Sequence, residues 1–328
     1  MRAFVTGGSG FLGGRIVARL LQDGVEVLAL ARESSDTSKL EEGGVRIVTG
    51  DLCDVDAFAD SLDGCDVVYH AGARVVTHGG WSAFYDANVL GTERLLDAAI
   101  ARGVGRFVHV SSIGIFEIDR DGTVITEETD YDHHPELRGD YTRSKIQADR
   151  VACAAARTGK PVVVVRPGQL YGGGHPNEPY FLGRVNKFVR PGLLAVVSTP
   201  SYSPPLIHVD NAADAIVLAG STPGVEGAVF NVIDDSQLTQ SSYFRALADA
   251  RGDGLKVVYL PVAIFAPAVK VADTLHRILR RRSWNVAYQL LRSGRNARYS
   301  TAAAQARLGW KPRIDLHQGL ADAVAGRA

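Results

Sequence analysis

Thr6-Gly7-Gly8-Ser9-Gly10-Phe11-Leu12-Gly13 is the stretch on which the reading of this chain turns. Ahead of its glycines stands a short β-rich run, Ala3-Phe4-Val5-Thr6. Behind them, residues 12–22 place Leu12, Ile16 and Leu20 at i, i+4 and i+8, with Val17 and Leu21 alongside, the stripe of a half-buried helix. A glycine loop between a strand and a helix is what a bound pyrophosphate needs. Gly7 makes the tight turn, Gly10 lets the backbone approach the phosphates, and Gly13 lets helix and strand pack closely. Ser9, Phe11 and Leu12 belong to the same loop and first helical turn, whose N–H groups suit an anion. Alone the glycine spacing is weak; the strand before and helix after make it a dinucleotide-binding signature.

The alternation continues outward. Further β-rich runs cover residues 26–31, 46–48, 67–70, 107–111 and 162–166, and helical spacing covers 55–61, 88–101 and 141–157. This order predicts βαβ units and an α/β fold, a Rossmann-type, doubly wound parallel sheet covered on both faces. Val162-Val163-Val164-Val165 has the unbroken apolar character of a central strand. After Arg166, prolines and the Gly172-Gly173-Gly174 run break the chain into short elements. Strands at 206–209 and 229–233 bracket a helix at 211–218, and the chain from Gln237 onward reads as mostly helical. The expected division is a dinucleotide-binding domain of residues 1–166 and 206–233, with a smaller, mostly helical substrate lobe of 167–205 and 234–328.

Bulk properties narrow the class. The 328 residues balance 36 Lys and Arg against 36 Asp and Glu, which gives no reason to expect nucleic acid or an anionic membrane as main partner. No apolar run approaches the roughly 18 residues of a membrane span. Cys53, Cys65 and Cys153 form no CxxC pair and no metal-ligand spacing, so no metal is expected and the thiols suit a reducing cytoplasm. The first residues run directly into a strand, leaving no room for a signal peptide, and a cytoplasmic enzyme is the expectation.

The second strand carries the cofactor preference. An NAD site puts Asp or Glu at its end, to accept from the ribose 2′-hydroxyl. Here Ala31 holds that place and Arg32 follows, with Ser34, Ser35 and Lys39 nearby. A guanidinium suits a 2′-phosphate, so NADP(H) is favoured. Glu33 keeps NAD(H) as the alternative.

Tyr141-Thr142-Arg143-Ser144-Lys145 sets Tyr141 and Lys145 at i, i+4 on one helix face. A phenol titrates near 10, and an adjacent ammonium is expected to favour its ionised form and bring it within reach of acid/base work. Ser112, at the end of the strand at 107–111, is placed to hydrogen-bond the same substrate oxygen. YxxxK alone is common by chance; its position after a fifth strand ending in Ser111-Ser112 gives it weight.

With these motifs in order, the chain resembles an extended short-chain dehydrogenase/reductase over nearly its whole length. The further matching pieces are Gly50-Asp51-Leu52, His70-Ala71-Gly72-Ala73, Asn88-Val89-Leu90-Gly91-Thr92, Arg166-Pro167, Tyr171-Gly172 and Ile207-His208-Val209-Asp210. The resemblance implies Asp51 and Leu52 near the adenine, and Ala71, Gly72 and Ala73 beside ribose and phosphates. It also implies Asn88 and Ser111 in the cofactor site, Pro167 and Gly168 beside the nicotinamide, and Ser112, Tyr141 and Lys145 as the catalytic set. Two departures are small: Gly173 stands where the family often has Pro, and Val110 where Ser or Thr is usual.

The stretch 70–92 and the pattern of Pro261, an arginine cluster, Tyr299-Ser300 and Leu308-Gly309-Trp310 are similar to the branch of 3β-hydroxysteroid dehydrogenases and bacterial β-keto reductases. That branch implies a largely apolar small-molecule substrate and hydride transfer at a carbonyl or alcohol carbon. Arg74, Trp81, Tyr85 and Tyr171 are the candidate pocket wall. A sugar-nucleotide epimerase or dehydratase with recycled NAD is the first rival. Such enzymes usually carry an arginine shortly before the His-Val-Asp strand, where this chain has Ser203-Pro204-Pro205-Leu206. A non-catalytic dinucleotide sensor is the second rival, and intact Ser112, Tyr141 and Lys145 speak against it. Residues 262–282, apolar and ending in Arg280-Arg281-Arg282, read as a lid, a membrane-surface helix or ordinary packing. The resemblance also implies a homodimer paired through the helices at 88–101 and 141–157, with Ala152, Ala154, Ala155 and Ala156 allowing close approach.

Overall fold

The computed structural model describes residues 1–75, 80–118, 120–174, 193–234, 238–252, 254–261, 263–264, 267, 269–271, 274 and 295–326. In chain order the strands are β1 (Arg2–Thr6), β2 (Glu26–Ala31), β3 (Arg46–Thr49), β4 (Val67–His70), β5 (Arg106–Val110), β6 (Thr123–Ile125) and β7 (Val162–Pro167). They continue with β8 (Gln169–Tyr171), β9 (Leu193–Val197), β10 (Leu206–His208), β11 (Val229–Val232), β12 (Lys256–Leu260) and β13 (Ala297–Tyr299). The helices are α1 (Phe11–Gln22), α2 (Ser38–Glu42), α3 (Gly80–Phe84), α4 (Gly91–Ala101), α5 (Asp140–Arg157), α6 (Val209–Ser221), α7 (Gln240–Arg251), α8 (Ala302–Leu308) and α9 (Leu316–Val324).

Seven strands form one parallel sheet in the order β11-β7-β5-β4-β1-β2-β3. The chain builds β1, β2 and β3 to one side, then returns past β1 to lay down β4, β5, β7 and β11 on the other. The order therefore reverses between β1 and β4, and such a reversal opens a crevice at the carboxyl ends of the strands. Successive strand residues face opposite sides, so each face has its own core. Val5, Ile16, Leu20, Tyr69, Val163 and Ile216 fill one, and Phe4, Phe58, Val68, Leu95, Phe107 and Val162 the other. The four valines of β7 are fully buried, as a central strand covered on both faces requires.

Local differences from the expected elements have local causes. Residues 55–61 do not form an α-helix. Turns close from Phe58 N–H to Val55 O and from Ser61 N–H to Phe58 O, leading into a 3₁₀ turn at Ala59–Leu62, while the Phe58 ring stacks on Phe4 at 5.9 Å. The helix expected at 88–101 starts as a π-helical segment, Tyr85–Leu90, before α4. Three of the four alanines offered to a partner helix, Ala152, Ala155 and Ala156, are buried in this chain's own core, whereas Ala154 is exposed.

The C-terminal region is helical but not wholly so. β12 pairs with β9, β13 with β6, and β10 with β8, all parallel. A separate core of Tyr171, Leu194, Leu206, Tyr243, Phe244, Leu247 and Leu320 holds this region together. Trp310 returns the chain to the main sheet, its ring buried and its Nε1–H donating to Asn211 O at 3.0 Å. The segment at 262–282 lies largely outside the described residues. No helix among the described residues is long and apolar enough to cross a membrane.

Candidate active site

The glycine loop sits at the sheet's point of reversal. Gly7 has φ of 74°, and a Cβ there would lie 2.8 Å from Gly72 Cα, at the end of β4. A Cβ on Gly13 would lie 1.9 Å from the Gly7 carbonyl oxygen, so the helix comes this close only because the residue is glycine. The Gly10 N–H closes the turn onto Gly7 O at 2.9 Å, and Phe11 and Leu12 begin α1. Gly72 in turn backs onto Leu52, whose Cδ1 would be 3.2 Å from a Cβ at that position. Gly7, Gly13 and Gly72 leave no room for a Cβ, so bare backbone forms a cradle at the N-terminus of α1, beside Gly10, Leu52 and Ala71. A pyrophosphate suits a helix N-terminus of this kind. Ser9 is exposed and Ala73 half-buried at its rim.

Arg32 follows β2 as an exposed side chain that makes no ion pair among the described residues. Asp51 is exposed, with Oδ1 accepting from Cys53 N–H at 2.9 Å. At the other end, Pro167 closes β7. A Cβ on Gly168 would meet Pro205 O at 2.6 Å, so its missing side chain already serves a contact within the fold.

α5 carries the second half of the site. Lys145 is buried, and its Nζ donates to Val110 O at 2.7 Å, which ties the helix to the end of β5, two residues before Ser112. Burial pulls the ammonium down to about 8, with the Asp149 carboxylate one turn on opposing the fall. Tyr141 stands one turn earlier, 37% exposed. Desolvation of its hydroxyl raises the phenol's pKa. The expected push toward phenolate is outweighed by burial, and the Lys145 ammonium donates to the Val110 carbonyl. The phenol keeps its proton at neutral pH, which is the donor form. Ser112 caps the turn Ile113–Ile115, its Oγ accepting from Gly114 N–H at 3.1 Å and its own proton left to give.

Several expected site residues also make bonds within the fold. Asn88 is held on three sides. Its Oδ1 accepts from Arg74 N–H at 2.6 Å, and its Nδ2 donates to Arg74 O at 3.1 Å and Ser144 Oγ at 2.9 Å, which exhausts the amide's donors. Ser111 is buried under the end of β5, next to Asp149, because strand alternation turns it inward. Tyr171 is also internal, its hydroxyl donating to Asp234 Oδ2 at 3.0 Å and its ring edge-on to His208. Arg74 lies over Phe84, and Trp81 packs near Tyr85. One face of Trp81 is covered by the Arg143 guanidinium at 3.8 Å. Arg143 is two residues past Tyr141 and so on another face of α5.

Sequence reasoning passed over Thr6, His70, Thr92, Ser144 and Asp149. For Asp149 a signal existed: it is a charge within the apolar stripe of α5, one turn after Lys145.

A doubly wound sheet with a glycine turn at its switch point, and a helix carrying Tyr141 and Lys145 tied to the end of β5, belong to the class of nicotinamide-dinucleotide-dependent oxidoreductases. Residues 3–232 match the NAD dependent epimerase/dehydratase family, and the chain belongs to it, within the extended short-chain dehydrogenases/reductases. It is 30% identical, over 98% of this chain and 95% of the relative, to the 4-hydroxy-2-methyl-3-oxo-4-farnesyl-3,4-dihydroquinoline-1-oxide ketoreductase of Stigmatella aurantiaca. It is 26% identical to the 2-alkyl-3-oxoalkanoate reductase of Shewanella oneidensis, over 97% of this chain and 84% of that one. The crystal structure of gox2253 superposes with a TM-score of 0.84 at 24% identity, covering 99% of this chain and 97% of the other, a likeness of fold.

Proposed function

We propose that this enzyme reduces the carbonyl of a largely apolar, β-keto or steroid-like substrate, with NADPH as preferred hydride donor. The observation that carries the reading is the bond from Lys145 Nζ to Val110 O, which ties α5, one turn after Tyr141, to the end of β5, two residues before Ser112. The names of the two relatives, both reductases of 3-oxo compounds, support the substrate class.

The nicotinamide, when bound, supplies the hydride to the carbonyl carbon. Tyr141 gives its phenolic proton to the carbonyl oxygen as charge develops there, acting as general acid. Ser112 donates to the same oxygen and orients it. Lys145 holds the ribose and, once its ammonium reaches the phenol, makes the phenolate easier to form. The glycine cradle fixes the pyrophosphate, and Arg32 pairs with the 2′-phosphate.

The same reading keeps the two-lobe division at 1–166 with 206–233 and 167–205 with 234–328, a cytoplasmic location in keeping with three free thiols, and a homodimer through the outer faces of α4 and α5. A monomer in sedimentation at micromolar protein would remove the dimer from it.

Net NADPH oxidation on adding 2-alkyl-3-oxo acids or 3-ketosteroids tests the reaction. The expected result is stoichiometric loss of NADPH with formation of the alcohol. Epimerised nucleotide sugar with no net change of cofactor would instead establish the recycling rival.

A further inference from the structure

We infer that His70, Thr92, Asn88 and Ser144 are positioning residues, joined in one chain of hydrogen bonds that ties the cofactor cradle to the turn of α5 bearing Tyr141. The inference rests on Tyr141 being the proton donor.

The chain can be followed bond by bond. Gly72 N–H, against the glycine loop, donates to Thr6 Oγ1 at 2.9 Å, and Thr6 Oγ1 lies 2.8 Å from His70 Nδ1. His70 Nε2 lies 2.8 Å from Thr92 Oγ1, whose hydroxyl donates to Asn88 O at 2.6 Å. The Asn88 amide donates to Ser144 Oγ at 2.9 Å, and Ser144 Oγ donates to Tyr141 O at 2.7 Å. Asn88 also grips both backbone atoms of Arg74, just past β4.

Only one proton arrangement satisfies all of these contacts. A carbonyl can only accept, so the single Thr92 proton goes to Asn88 O, and His70 Nε2 must donate to Thr92. Nδ1 is then bare and accepts from Thr6, whose oxygen receives Gly72 N–H. His70 is thus neutral with its proton on Nε2, in keeping with burial, and secondarily the Lys145 charge, pushing it down to about 3. Every hydroxyl in the chain gives one proton and receives one.

The chain matters because of where its ends lie. One is the Gly72 amide, packed on Gly7; the other is the carbonyl of Tyr141 itself. Asn88 lies in the π-helical segment Tyr85–Leu90, an irregularity found where helices serve a site. Bonds that share a hydroxyl strengthen one another, and Asn88 carries the link covalently from its backbone carbonyl to its side-chain amide, so a loss at one end loosens the other. A shift of Tyr141 of about 1 Å is enough to cost on the order of 10²-fold in rate.

The test is a double-mutant cycle between Thr92→Val and Ser144→Ala, neither residue touching substrate or cofactor in this reading. Turnover is measured on a 2-alkyl-3-oxo acid at saturating NADPH, beside amide exchange of the protein with NADPH alone. Each single change should lower kcat about 10-fold or more with KM little moved. The double change should be no worse than the worse single, and Thr92→Ser should recover the rate. Exchange at Gly72 should quicken in Ser144→Ala, at the far end of the chain. Losses that multiply, or Gly72 exchange unaltered in Ser144→Ala, overturn the inference while leaving the reading of Tyr141 intact. Full turnover by Tyr141→Phe overturns both. Should the ketone prove not to be a substrate, Gly72 exchange alone decides.

Discussion

Arg166 and Asp149 meet edge to edge between β7 and α5, Nε to Oδ1 at 3.0 Å and Nη2 to Oδ2 at 2.7 Å, with neither side chain reaching solvent. Tyr131 donates to the same carboxylate at 2.8 Å, and the remaining guanidinium nitrogen donates to Glu127 O. Burial would raise the Asp149 carboxyl, but the Arg166 bonds prevail and hold it below its usual range. This pair fastens the strand that ends in Pro167 to the helix that carries Tyr141 and Lys145, so the two sides of the site share one anchor.

Breaking that pair from one side should therefore be costly. Arg166→Leu, which strands a buried carboxylate, should lose about 3–5 kcal/mol of stability. Arg166→Leu combined with Asp149→Leu should recover much of it, since the buried charge is then gone. Urea unfolding of the three proteins measures both numbers. A single variant as stable as the parent would mean the pair contributes nothing.

Lys145 predicts a pH dependence of stability with an unusual sign. Burial lowers it from 10.5 to about 8, so the native protein releases this proton before the unfolded chain does. Below about pH 8 both states hold it and the buried ammonium exacts its full cost. From there to about 10.5 the unfolded chain binds more protons, so this group makes stability rise with pH. Lys145→Met should remove that rising contribution. An unchanged slope between pH 8 and 10 in the variant would show that Lys145 is not held this way.

Much of this was legible because it is local. The Gly7, Gly10 and Gly13 spacing and the Tyr141-to-Lys145 turn are periodicities of a few residues, and the sheet strands follow from short β-rich runs. The bonds of Asn88 to Arg74 and Ser144, 14 and 56 residues away, cross a distance no spacing rule bridges. The phenol's pKa was expected to fall on the strength of a neighbour four residues off. Burial instead raises it, and the neighbour's ammonium bonds to Val110 O, 35 residues distant. Likewise β9 and β12 pair across the C-terminal region and read as nothing until they meet.

Cofactor choice should depend on Arg32. It is exposed after β2, beyond Ala31 where an NAD site carries an acid, so it is available to a 2′-phosphate. Arg32→Ala should weaken NADPH by about 1.5–3 kcal/mol and leave NADH nearly unchanged. Fluorescence titration of both cofactors checks this, and equal losses would show that Arg32 does not read the phosphate.

Tyr141→Phe is the most exposed prediction. The variant keeps the ring and removes only the hydroxyl, so the helix, Lys145 and the glycine cradle stay as they are. Binding of NADPH should be nearly unchanged, because the phenol oxygen acts on the reacting carbonyl and its loss falls on the transition state. General acid catalysis supplies about 10²–10⁴-fold, and at least that much turnover should vanish. Ser112→Ala should be milder, since the proposed role of Ser112 is to orient and polarise the carbonyl without giving up its proton. Lys145→Met should harm both rate and NADPH binding, as the proposal assigns its ammonium to ribose and phenol together. Turnover at saturating NADPH, with cofactor binding read separately, distinguishes the three. If Tyr141→Phe turns over like the parent, proton delivery comes from elsewhere, and the tie of α5 to the end of β5 loses the role assigned to it.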